Sequence, residues 1–174
     1  MPQERLPRHV EAMLSPAVYP HPVDRVELIQ THISYVFLAG EYVYKLKKPR
    51  DMGFLDYATL AKRRLYCEGE VRLNRRLCSD AYLGVMTVTT KSDRAFLDGE
   101  GEVLDYAVKM RLLPRERMME RLHAENAGSS EMLTELKGRL AASHGSSESS
   151  KHISTFGSRE TVGGNWRENS DQTE

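Results

Sequence analysis

A chain of 174 residues can build one domain with a true core or one part of a larger enzyme, and 40% hydrophobic and 29% charged residues exclude a membrane-embedded or fibrous protein. Net charge is zero, which argues against a dedicated nucleic-acid binder. The charge is uneven, however: residues 45–76 hold ten Lys or Arg against four Asp or Glu, an excess that calls for an anionic partner or a solvated face.

Residues 3–14 read as a short amphipathic helix with Leu6, Val10, Met13 and Leu14 toward one side, and the three prolines in 15–22 break it. The first ten residues carry Glu4, Arg5, Arg8 and two prolines where a secretory leader needs an apolar run, so a cytoplasmic location without membrane contact is expected. From Val26 the pattern becomes that of strands, at 26–29, 35–38 and 42–46, and the break at 39–41 holds Gly40, as a hairpin needs. Pro49 ends the third strand, Asp56 reads as a helix N-cap, and helical periodicity runs to about Leu77 with Tyr66, Leu73 and Leu77 on one stripe. Gly69 should weaken that helix by about 1 kcal/mol relative to alanine. Strands are expected again at 83–89 and 103–110, joined through turn-rich 92–101, which gives the order β-β-β-α-β-β.

After Pro114 helices are expected at 115–123 and 132–144. From Gly145 the chain is rich in Ser, Gly and Glu, with Ile153, Phe156 and Trp166 as its chief large apolar residues, too few to order the segment alone. The organisation read from the chain is a helix and Pro-rich lead-in over 1–24, a mixed domain over 25–112, helices over 113–144, and a poorly ordered tail or linker over 145–174. Cys67 and Cys78 lie about 16 Å apart at helical rise, too far for a disulfide, and the six His show no spacing of a structural zinc site.

Alternation along the third strand places Val43, Lys45 and Lys47 on one face and Tyr42, Tyr44 and Leu46 on the other. An ammonium among apolar strand residues needs an anionic partner; otherwise the strand is an edge whose lysines deter aggregation. Glu70, on the stripe of Tyr66, Leu73 and Leu77, is the candidate partner for Lys45, set against a reading as a rim glutamate. Glu68 has Arg64 and Arg72 at four-residue spacing and belongs to an exposed ion-pair face.

The segments YPHPVDRVELIQTHISYVFLAGEYVYKLKKP, FLDYATL, CEGEVRLNRRL, YLGV and YAVKMRLLP resemble the N-terminal region of aminoglycoside-phosphotransferase-like proteins in which a kinase-like domain precedes a P-loop ATP-binding domain. Weaker likeness runs through FGSRETVGGNWRENSDQT. The resemblance implies an α+β fold: a protein-kinase-like small lobe with a five-stranded antiparallel sheet and one long helix, followed by helices of an incomplete large lobe. It implies ATP and Mg²⁺ as cofactors, Lys45 as the phosphate-contacting lysine with Lys47 as its rival, and Glu70 as the helix partner. It also implies that Met110 and Leu112 lie in the hinge, whose backbone meets the adenine edge; the other reading of both is core packing.

Two features depart from the pattern. No GxGxxG loop joins the first two strands; Thr31 and Ser34 stand there and could offer hydroxyls and N–H groups to a phosphate, or serve as turn residues. No His is followed two positions later by Asp, no Asp-Phe-Gly occurs and no GxxxxGK[ST] is present, so the groups that orient an acceptor and hold Mg²⁺ are missing. The expectation is the N-terminal part of an ATP-dependent small-molecule phosphotransferase, inactive alone, weak in nucleotide binding, with its phosphoryl acceptor undefined. The alternatives are a non-catalytic module binding nucleic acid or protein through the basic 45–76 segment, and a fragment that self-associates through the face left by the missing lobe.

Overall fold

The alternating segments of the first half form one antiparallel sheet: β1 (Val26–Gln30), β2 (Ser34–Ala39), β3 (Tyr42–Lys47), β4 (Tyr82–Lys91), β5 (Arg94–Leu97) and β6 (Glu102–Arg111), in spatial order β1-β2-β3-β6-β4-β5. This is a computed structural model describing residues 5–53, 55–92 and 94–171. The fold is α+β, with six strands where the sequence reading expects five. The extra strand, β5, lies inside the stretch read as turns: its four residues, flanked by turns with Ser92 and Asp98 both at φ 50°, are too few to show a period, yet pairing with β4 buries Leu97. The β2–β3 turn places Gly40 at φ 60°, where a Cβ would also come 3.2 Å from the Pro22 carbonyl oxygen.

Strand register sorts the side chains onto two faces, since residues directly opposite in an antiparallel pair point the same way. One face carries Tyr35, Phe37, Ala39, Tyr44, Leu46 and Ala107 against the N-terminal segment. There α1 (Arg8–Ala12), shorter than the helix read over 3–14 because Pro7 sits at its N-cap, supplies Val10, with Met13 and Tyr19 following. Phe37, Tyr44, Leu46, Val10 and Met13 are fully buried, and burial of each apolar side chain stabilises by about 1.5–3 kcal/mol.

The other face packs against α2 (Leu60–Asn74) through Cys67, Val71, Val108, Tyr106 and Met110. Two expectations about this helix are corrected. Its N-cap is Thr59, whose Oγ1 accepts from Lys62 N–H at 3.2 Å; the Asp56 carboxylate instead closes a local turn with Ala58 N–H at 2.9 Å. Its buried residues are Arg63, Cys67 and Val71, while Tyr66, Leu73 and Leu77 stand 38%, 50% and 45% exposed. The sheet-facing row is Arg63, ion-paired to Asp105, with Cys67 and Val71 packed on Val108, so the larger apolar stripe lies outward.

No described residue after Val108 is buried. The chain divides into two units, Met1–Ser129 and Ser130–Glu174, a boundary apart from those expected at 112 and 144. The first unit ends in a 3-10 turn at Arg115–Arg117 and α3 (Met119–Ala124). The second holds α4 (Ser130–Gly145), α5 (Lys151–Phe156) and α6 (Arg159–Asp171), so the segment expected to lack order is helical. Local caps account for that: Ser150 Oγ accepts from Ile153 N–H at 3.1 Å and Ser158 Oγ from Thr161 N–H at 3.1 Å. No helix among the described residues is long and apolar enough to cross a membrane.

Candidate functional site

Lys45 and Lys47 leave β3 on the face covered by α2, because each is an even number of residues from Val43. Glu70 rises from the third turn of α2, beside buried Cys67 and Val71, and meets both. Lys45 Nζ donates to Oε1 at 2.9 Å and Lys47 Nζ to Oε2 at 2.6 Å. The lysine side chains differ in access, 28% exposed for Lys45 and 4% for Lys47, with Glu70 at 14%. Two ammoniums on one carboxylate leave the cluster with one excess positive charge, and Lys45 carries it to the surface.

Burial alone would raise the Glu70 carboxyl; hydrogen bonds and charge from Lys47 and Lys45 outweigh it and hold the group below the ordinary glutamate range. Burial likewise would lower the Lys47 ammonium, and Glu70 outweighs that, holding it above the ordinary lysine value. The Tyr57 ring lies 4.9 Å from Lys47 Nζ. The neighbouring Cys67 thiol is pushed up to about 12, chiefly by burial, and is no nucleophile.

From this cluster an apolar strip runs along the same face. Register aligns Ile29 with Val36, Val36 with Lys45, Leu38 with Val43, Val43 with Met110 and Lys45 with Val108. At Leu38 the strip meets a cleft of about 610 Å³ lined by Asp24, Glu27, Leu38, Leu112, Leu113 and Arg115 among others. Leu38 and Val43 stand one same-face step, about 7 Å, from Val36 and Lys45. The described first unit thus places an apolar shelf between an open cleft and a cation.

The other residues singled out from the sequence fall variously. Met110 packs its side chain with Cys67, Val71 and Val108. Leu112 lines the cleft, but its N–H donates to the Glu41 carbonyl at 2.9 Å, and the Arg111 N–H to Ala81 at 2.8 Å, so these donors are engaged within the chain. Thr31 and Ser34 bond each other: Ser34 N–H donates to Thr31 Oγ1 at 2.9 Å and Thr31 N–H to the Ser34 carbonyl at 2.9 Å. Ser34 is fully buried and its hydroxyl has no partner among the described residues. The basic 45–76 segment consumes much of its charge internally. Lys62 pairs with Asp56, Arg63 with Asp105 and Arg64 with Glu68, and Arg75 donates to the Tyr82 and Leu83 carbonyls.

Sequence reasoning missed the second ionic cluster on α2. Arg63 Nε donates to Asp105 Oδ1 at 2.8 Å, His9 Nε2 lies 3.4 Å from Asp105 Oδ2, and Arg63 also donates to the Tyr57 carbonyl at 3.3 Å. An acid inside the apolar run of β6 was its available signal. Among the described residues no three His, Cys, Asp or Glu side chains gather as a metal site.

No family model and no solved structure matches the chain. It is similar to uncharacterized proteins of Mycobacterium bovis and of two Mycobacterium tuberculosis strains, each 29% identical over 154 residues and covering 86% of this chain. The chain spans 29% of the length of these curated relatives.

Proposed function

We propose that the first unit is the nucleotide-gripping small lobe of a kinase-like phosphotransferase of the aminoglycoside-phosphotransferase type. The observation that carries this reading is the Lys45–Glu70 contact across β3 and α2, opening onto the apolar shelf of Val36, Leu38, Val43 and Met110. In this reading the exposed Lys45 ammonium meets the phosphates of ATP, Glu70 orients it, and the shelf takes the base. The Lys45 side chain is 28% exposed, and the cleft beside Leu38 gives the nucleotide room. With the Arg111 and Leu112 N–H groups engaged, backbone contact from Met110–Leu112 to the base would come from carbonyl groups.

Turnover needs a carboxylate that orients the acceptor hydroxyl, and no His-x-Asp or Asp-Phe-Gly occurs in this sequence. This polypeptide therefore releases no phosphate from ATP above a Lys45→Met control. The positive test is labelling with an acyl-phosphate derivative of ATP, which acylates amines held beside the phosphates. Lys45 is expected to be modified first, and excess ATP to suppress the modification. Labelling spread over surface lysines, with no protection by ATP, would overturn the reading. The internal pairing of Lys62, Arg63, Arg64 and Arg75 gives the nucleic-acid alternative no comparable support.

A further inference from the structure

Glu70 is held by two cations that are not equivalent. An external anion can approach Lys45, 28% exposed; Lys47, 4% exposed, is enclosed by Glu70 and Tyr57, with fully buried Ser34 opposite it in the ladder. A lysine–glutamate pair with a single lysine meets a conflict once that lysine turns toward an anion, because the half-buried carboxylate loses its counter-charge. Here the two carboxylate oxygens are divided between the lysines, Oε1 to Lys45 and Oε2 to Lys47. Lys45 can therefore be shared with an anion while Glu70 stays neutralised.

We propose that Lys47 is a positioning residue: a permanent buried counter-ion that keeps Glu70 ionised and fixed, leaving Lys45 available to an external anion. The last clause rests on the nucleotide reading above; the holding of Glu70 by Lys47 does not. The ionisable groups around Lys47 are Lys45 on its own strand, Glu70 and Cys67 on α2, Tyr57 before α2, and Tyr82 on β4.

Two experiments on the full chain separate the claims. In Glu70→Gln, the enclosed Lys47 ammonium has lost its counter-charge, so its folded-state pKa drops below that of the unfolded chain. Stability relative to wild type then rises between pH 7 and 9.5, by about ten-fold or more in the folding constant. Adding Lys47→Met removes the rise, and adding Lys45→Met does not. No rise in Glu70→Gln, or a rise removed by Lys45→Met, overturns the assignment. Labelling with the acyl-phosphate ATP derivative reads the second claim: ATP-protected modification of Lys45 persists in Lys47→Arg and falls several-fold in folded Lys47→Met. Wild-type labelling at Lys45 retained in Lys47→Met overturns the positioning role. Absence of ATP protection in the wild type sinks the nucleotide reading instead, and the pH series still decides what Lys47 does.

Discussion

Two ionic clusters sit on the same face of α2, at Arg63 and at Glu70, about 10 Å apart along the helix but opposite in design. At the N-terminal end Asp105, 2% exposed, is closed off by Arg63 and His9, and Arg63 has its remaining fork turned to backbone carbonyls. Further along, Lys45, Glu70 and Lys47 hold one more cation than anion, and one of the cations reaches the surface. The first cluster satisfies itself and fixes the helix to the sheet. The second leaves one partly exposed cation beside a shared carboxylate, and in the reading proposed above that cation takes an anion from outside. Substitutions should tell the two apart.

The largest expected effect is at the closed cluster. Asp105→Ala leaves a buried guanidinium unpaired and should cost about 3–5 kcal/mol of stability in urea unfolding. In the open cluster Glu70→Ala should cost less, about 2–3 kcal/mol, because Lys45 can turn to water while Lys47 cannot. Lys45→Met should change stability by less than about 1 kcal/mol, since Lys47 keeps Glu70 paired, and should still abolish ATP protection. A Lys45→Met protein that unfolds as readily as Glu70→Ala would erase the proposed distinction between the clusters.

Acid should sharpen the comparison further. The folded Glu70 carboxyl lies below its unfolded value, so its contribution is fully present above the free-glutamate pKa of about 4.3 and is lost as pH falls through the folded value. The stability difference between wild type and Glu70→Gln should therefore shrink on acidification below about pH 4; a difference that stays constant from pH 6 to pH 2 contradicts the pairing. The smallest expected effect is Gly69→Ala, a gain of about 0.5–1 kcal/mol, because a Cβ there meets nothing within 4 Å.

The legibility of these clusters from the sequence was uneven for a physical reason. A period of two is rigid, so the shared face of Val43, Lys45 and Lys47 follows from alternation alone, and register then carries it to Val36 and Val108. The seating of α2 does not follow its largest apolar residues, because Arg63, Cys67, Glu70 and Val71 face the sheet while Tyr66, Leu73 and Leu77 face out. Glu70 reached Lys45 although the stripe invoked to place it was the wrong one. The β5 strand was too short to show a period, and the helices of 151–171 depend on serine caps rather than on a buried face.

The central claim is best tested by titrating ATP into the isotope-labelled chain and following backbone and lysine side-chain NMR signals, which register weak binding. The account predicts shifts concentrated at Lys45, Glu70, Val36 and Leu38 that vanish in Lys45→Met. Shifts that avoid these residues, or that survive unchanged in Lys45→Met, would contradict it.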